Sequence, residues 1–313
     1  MVLMNNKHIS VLKEEAIFAL DIKKDGIYID MTLGYGGHSK EILKRLDKGL
    51  LIGFDKDIDA CNAANEVLKE VGTNYKIINK SFTNLKSTLE ELNIKKVDGI
   101  LFDLGVSSPE IDDVSRGFSY MHDAPLDMRM ARESNLDAKK VVNTYKEEDL
   151  VRIFRLYGEE KHATRIARNI ILQREDKEIK TTLELVDIIS RSYPYKDKRN
   201  THPAKKVFQA IRIEVNNELE EFKTSLKDAL NLLNIDGVVA VITFHSLEDK
   251  IAKKTFNEVT EVDKVIKGLP NIDQSLLPDY ILVNKKAITP STKEINYNPR
   301  ARSAKLRIIK RIK

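Results

Sequence analysis

The stretch Tyr28–Ile42, YIDMTLGYGGHSKEI, runs from an apolar segment through a glycine cluster into a segment with helical spacing. A glycine-rich turn between strand and helix is built to let backbone approach a ligand, so its wording narrows the fold and the ligand together. A P-loop would need Lys followed by Ser or Thr after its last glycine, and Gly37 is followed by His38 and Ser39. The dinucleotide pattern GxGxxG would need glycine at 34, 36 and 39, and position 39 is serine. The turn is therefore not wrapped around phosphate.

Outward from that turn the first third alternates strand and helix. IYID (27–30), LLIGFD (50–55), KIIN (76–79) and VDGILFDLG (97–105) read as strands. Between them lie HSKEILKRL, DIDACNAANEVLKEV with Asp57 as N-cap, and LKSTLEEL, all with helical spacing. Such alternation predicts a parallel, doubly wound sheet, whose ligands sit beyond the carboxyl ends of the strands. From Asp112 to Ala204 no buried strand is evident, and helix-like runs replace the alternation. VFQAIRIEVNNELEEFKTSLKDALNLL then reads as one long amphipathic helix, VVAVITF (238–244) as a strand, and KLRIIKRI near the end as an edge strand. The expected organisation is one α/β domain, 1–112 and 205–313, interrupted by a helical insert, 113–204.

Composition sets limits on function. The chain has 313 residues, 42% apolar and 32% charged, and no apolar run approaches the roughly 20 residues of a membrane span. The first residues lack a signal-peptide pattern, so a cytoplasmic protein is the expectation. Cys61 is the single cysteine and reads as a packed apolar residue. The six histidines show no metal-ligand spacing, and no metal is expected. The net charge of +5 is concentrated in Arg191–Lys206 and in the tail from Arg300, near tyrosines, as phosphate-backbone binding requires.

The strand ends carry groups that suit one ligand. Asp30 closes the first strand, Asp55 the second, about twenty residues past the loop where an acid takes ribose hydroxyls, and Asp103 the fourth. Phe82, after the third, is placed to pack on a purine. A ligand with adenine, ribose and a carboxylate fits this set, and S-adenosylmethionine is such a ligand. Each acid also has an ordinary reading as a helix cap.

The chain as a whole resembles the bacterial 16S rRNA cytosine-N4 methyltransferase family, MraW or RsmH. The resemblance is carried by HISVLKEEAI, GYGGHS, DLGVSSPEID, RGFSY…APLDMRM, YGEE…RIARNI, THPAKKVFQAIRIEVNNEL, FHSLED and NPRARSAKLR. It implies a Rossmann-like class I methyltransferase with a mostly parallel sheet and an inserted helical domain that recognises substrate. It also implies methyl transfer from S-adenosylmethionine to N4 of a cytidine near the decoding centre of 16S rRNA in the small ribosomal subunit. Residue by residue, it places the cofactor on Gly36, Gly37, His38, Asp55, Phe82, Asp103 and Glu110, with Glu110 standing where the family usually has Gln. Asp103, Ser107 and His245 are the candidates for holding or deprotonating the target amine; for His245 and Ser246 the alternative is capping the following helix. Tyr120, Tyr193 and Tyr195 are candidate base-stacking partners, and Arg116, Asp127 and Arg129 are either lid residues or a salt-bridged anchor. Two rivals remain at this stage, an enzyme of the same fold acting on protein or a small molecule, and a non-catalytic assembly factor. Oligomeric state stays open.

Overall fold

A computed structural model describes residues 10–194, 202–262 and 273–313, and the chain divides into two compact units. The first comprises residues 1–105 and 219–313. Among the described residues its seven strands are β1 (Ile27–Asp30), β2 (Leu50–Phe54), β3 (Tyr75–Ile78), β4 (Val97–Asp103), β5 (Leu233–Thr243), β6 (Tyr280–Leu282) and β7 (Lys305–Arg311). They lie in the order β3-β2-β1-β4-β5-β7-β6. β1 to β5 are parallel, and β7 runs antiparallel to both β5 and β6.

The apolar runs follow from burial on both faces of the sheet. Successive residues serve opposite cores: Tyr28, Leu51, Leu101 and Ala240 join one cluster, while Ile29, Ile52, Ile100 and Val239 join the other. The reversal of strand order occurs at β1, with β2 on one side and β4 on the other. That arrangement brings the ends of β1 and β4 side by side, with Asp30 level with Leu101 two residues before Asp103.

Two expectations need correction here. KLRIIKRI is not at the edge, because β7 is enclosed between β5 and β6. The true edge, Tyr280–Leu282, is three residues long and offered too little pattern to be read. The long helix after Lys206 is two helices, Ala204–Asn216 and Glu218–Leu232. Asn217 between them adopts the left-handed conformation (φ 51°), which asparagine tolerates better than most residues. An unbroken apolar stripe concealed that turn.

The second unit spans Val106–Glu218, wider than the 113–204 read from sequence. Helices Ala138–Thr144, Glu147–Leu156, Ala163–Asp176, Thr182–Ser192 and Ala204–Asn216 share one core containing Val141, Phe154, Ile166, Leu185 and Phe208. The helix Ala204–Asn216 belongs here because Val207, Phe208, Ile211 and Val215 all point into that core. Asn216, buried at its end, donates to the Met128 carbonyl (2.8 Å) and accepts from the Met130 N–H (2.8 Å). It thereby pins an irregular segment whose backbone would otherwise be poorly satisfied. Asn216→Ala should cost about 1–3 kcal/mol, the usual cost of orphaning buried hydrogen-bonding groups. Urea unfolding monitored by circular dichroism measures this directly.

Candidate active site

The glycine turn is held from beneath and from the side. Asp30, almost wholly buried, accepts from the Thr32 N–H (3.2 Å) and from the Ser39 hydroxyl (2.7 Å). The Thr32 hydroxyl oxygen in turn accepts the Asp103 N–H (2.7 Å), tying the end of β4 to the start of the turn. Gly36 has φ 77°, a left-handed value that a side chain would strain. A Cβ on Gly37 would fall 2.0 Å from the Ser10 hydroxyl oxygen, so glycine there is set by the segment that packs over it.

Asp55 is already oriented. One carboxylate oxygen accepts the Gly34 N–H (2.8 Å) and the other the Asp57 N–H (2.9 Å). Asp57 caps the next helix by accepting the Asp59 N–H (2.9 Å), as its place in the sequence predicts. Each ionised carboxylate oxygen has a further lone pair, so Asp55 keeps acceptor capacity for hydroxyl donors. Phe82 is half-buried and meets Phe102 edge-on, with ring centroids 6.0 Å apart. Cys61 is buried nearby, and burial, helped by the Asp55 charge, pushes its thiol up to about 12. It is no thiolate at neutral pH, in keeping with a packing role.

The polar focus is His38 with Asp103. His38 is buried, and its Nε2 lies 3.3 Å from Asp103 Oδ2. Burial opposes its positive charge most strongly, but the Asp103 contact and the charges of Asp103 and Asp30 together raise its pKa above the ordinary value. Burial likewise raises the pKa of Asp30, against the opposing pull of His38 and Ser39. Asp103 Oδ1 is buried and has no hydrogen-bond partner. Buried polar atoms are rarely left this way, and orphans at strand ends mark a place where a ligand supplies the partner. Just beyond the end of the neighbouring strand β5, Glu248 of the following helix accepts the N–H groups of Phe244 (2.7 Å) and His245 (3.2 Å), and His245 Nε2 lies 3.1 Å from its other oxygen. His245 thus stands at the start of the helix Ser246–Thr260 in a reciprocal cap with Glu248, its ring held against that carboxylate. Thr32, Ser39 and Glu248 were not singled out in the sequence, although the three-residue spacing of His245 and Glu248 is that of a capping box.

Several candidates lie in the second unit and have local partners there. Ser107 caps the helix Ser108–Asp112: its N–H and hydroxyl both donate to Glu110 Oε2 (2.8 Å each), and its oxygen accepts the Glu110 N–H (3.4 Å). Glu110 is buried, with its other oxygen 3.9 Å from Arg116. Both residues are therefore engaged in a capping box, which the sequence reading of Ser107 as catalytic and Glu110 as cofactor contact did not foresee. Asp127 and Arg129 form a two-pronged ion pair (2.8 and 2.7 Å), and Arg116 donates to the carbonyls of Arg129 and Met130. This is the salt-bridged alternative. Tyr120 stacks on His202 at 4.6 Å, and Tyr193 meets the His162 ring edge-on at 4.8 Å while its hydroxyl donates to Glu160, so both already have aromatic partners in this arrangement. Tyr195, Lys196, Lys198 and Arg199 lie outside the described residues. In the tail, Lys305 and Arg307 converge on Asp249 (3.1 and 2.6 Å), so part of that basic run is spent within the fold.

A family model described as the MraW methylase family matches residues 5–312. The chain belongs to that family. Its relatives include the ribosomal RNA small subunit methyltransferase H of Clostridium botulinum (strain Loch Maree / Type A3), 53% identical over 99% of this chain and 100% of that one. The protein of the same name from the Okra / Type B1 strain is 52% identical over the same shares. Among solved structures, an rRNA methylase from Streptococcus thermophilus aligns with 96% of this chain and 94% of its own at 11% identity and TM-score 0.43, too distant to bear on the site.

For this MraW-family chain the buried imidazole makes a measurable prediction. Because the folded-state pKa of His38 is raised, its contribution to stability is fully present below the unfolded value of about 6.5. It is lost as pH rises through the folded value. His38→Gln should flatten that limb. Urea midpoints of the two proteins should differ more at pH 6 than at pH 8.5, and equal differences would count against the imidazolium.

Proposed function

We propose that this chain transfers the methyl group of S-adenosylmethionine to N4 of a cytidine in the decoding region of 16S rRNA, within the small ribosomal subunit. Membership of the methylase family and full-length relatives named as small-subunit rRNA methyltransferases support the rRNA reaction. The observation that carries the chemistry is Asp103, with one oxygen against His38 and the other buried and unpartnered at the end of β4.

The residues fit the methyl donor. Asp55 would hold ribose hydroxyls, since its orientation is fixed by two backbone N–H groups before any ligand arrives. Phe82 would pack on the adenine, and the Gly36–Gly37–His38 turn would admit the amino-acid end at close range. When bound, S-adenosylmethionine supplies an electrophilic methyl on a positively charged sulfur. Ser107 is left out of the reacting set and Glu110 out of the cofactor set, because Ser107 serves the helix it caps and Glu110 is shared between that cap and Arg116.

N4 of cytosine is a weak nucleophile, its lone pair being delocalised into the ring. What the protein must provide is alignment and an acceptor for the amine hydrogens as positive charge develops on nitrogen. Asp103 Oδ1 is suited to accept, and His38 keeps its carboxylate from turning away. His245, just past the end of the adjoining strand β5 and oriented by Glu248, is the second group able to take the proton released after transfer. An rRNA substrate would place the protein in the cytoplasm, and among the described residues no helix is long and apolar enough to cross a membrane.

Two experiments test this reading. Asp55→Ala should weaken S-adenosylmethionine binding by roughly 1–3 kcal/mol, the worth of hydrogen bonds to a charged group, with the circular dichroism unchanged. Calorimetric titration decides, and unaltered affinity removes Asp55 from the site. His245→Ala should bind the methyl donor normally yet slow single-turnover transfer to small subunits by about 10²- to 10⁴-fold. A rate within about threefold of the parent, well short of acid/base magnitudes, would leave His245 a capping residue only.

A further inference from the structure

Many surface cations of the second unit are paired with carboxylates, whereas Lys140 and Lys146, apart from one another, and one cluster of cations are not. Lys139 and Lys180 meet Glu178, Lys177 meets Glu184, Arg191 meets Asp187, Arg152 meets Glu214 and Arg129 meets Asp127. Arg155, Arg165, Arg168 and Lys205 are exposed, and none of them has a carboxylate within ion-pair distance among the described residues.

These cations are brought together by the fold. The helices Glu147–Leu156 and Ala163–Asp176 pack against each other, and Arg155 at the end of the first donates to the Thr164 hydroxyl at the start of the second (2.9 Å). Arg165 and Arg168, three residues apart, share one helix face, with exposed Lys161 one turn before them. Lys206, next to Lys205, reaches the Glu159 carbonyl in the connecting turn (2.8 Å), and Gln209 on the same helix donates to the Tyr157 carbonyl (2.9 Å). Residues 155–168 and 202–209 thus hold six exposed cations, and Glu159 is their only exposed carboxylate.

We infer that this corner, built on Arg155, Arg165, Arg168 and Lys205, is a docking face for the phosphate backbone of the RNA substrate. The inference rests on the proposed rRNA reaction and names the surface it uses. Surface arginines clustered where exposed cations outnumber exposed carboxylates six to one keep guanidinium donors for an external polyanion, and the planar fork of arginine suits phosphate oxygens. A basic face also steers a large polyanionic substrate without reading its bases.

The test compares two triple variants with the same change of charge. Arg165→Gln, Arg168→Gln and Lys205→Gln together remove the face. Lys139→Gln, Lys177→Gln and Lys180→Gln together remove cations that are already paired. Binding to small subunits lacking the modification is measured over a range of KCl concentrations, alongside S-adenosylmethionine titration and single-turnover transfer. The first variant should bind on the order of tenfold to a hundredfold more weakly and reduce the slope of log K against log salt by about two to three, with donor affinity unchanged. The second should stay close to the parent in both. Arg165→Lys with Arg168→Lys should retain most of the slope, separating charge from any loss of fold. If the first variant keeps the parent's affinity and slope while the parent methylates the subunit, this face is wrong and the reaction stands. Equal losses in both variants would also overturn it, leaving diffuse net charge as the attraction. If the parent transfers no methyl to small-subunit RNA, the reading beneath it falls and the inference falls with it.

Discussion

Everything at the site depends on the parallel pairing of β1 with both β2 and β4. Parallel strands share one direction, so their carboxyl ends open on one side of the sheet, and reversal of order at β1 leaves a crevice there. Asp30, Asp55 and Asp103 all lie at that edge because each stands at the end of, or just after, a strand that had to be apolar to be buried. Three carboxylates so close together would repel. They are reconciled by the groups between them: Asp55 by backbone N–H donors, Asp30 by Ser39, and Asp103 by the His38 imidazole.

That reconciliation also limits what each residue can be said to do. Asp30 is a foundation, with both oxygens used and almost no access to solvent. Asp103 is half-buried and keeps one oxygen without a protein partner, so the two acids, alike in sequence, differ in what they have left to offer. Ser107 and Glu110 show the same distinction from the other side, since a residue in a plausible motif can be engaged by a helix cap and a neighbouring cation.

Much of this was legible beforehand. β1 to β5, the turn at Gly34–Gly37 and the Asp57 cap follow from continuous apolar runs and local turn chemistry, which act over a few residues and leave a mark in the order of amino acids. β6 was missed because three residues carry no period, and β7 was misplaced because an edge and a neighbouring position read alike without the missing strand. The break at Asn217 was hidden, since one left-handed residue interrupts the backbone without interrupting the apolar stripe. The His38–Asp103 contact joins residues 65 positions apart, and no local rule announces it.

One bond has a bearing on how the protein comes to exist at all. The buried Leu12 N–H is accepted by Glu294 Oε1 at 2.8 Å, across 282 positions of chain. Ser10, two residues earlier, packs on Gly37, and β7 enters the sheet beside β5 from residues 305–311. Synthesis at about 5–20 residues per second separates the two ends of that bond by roughly 15–60 s. For that interval the early strands are present while the closing segment has nothing to close against. The first unit is complete only when residues 280–311 have left the ribosome, so segments nearly the whole described length apart mature together.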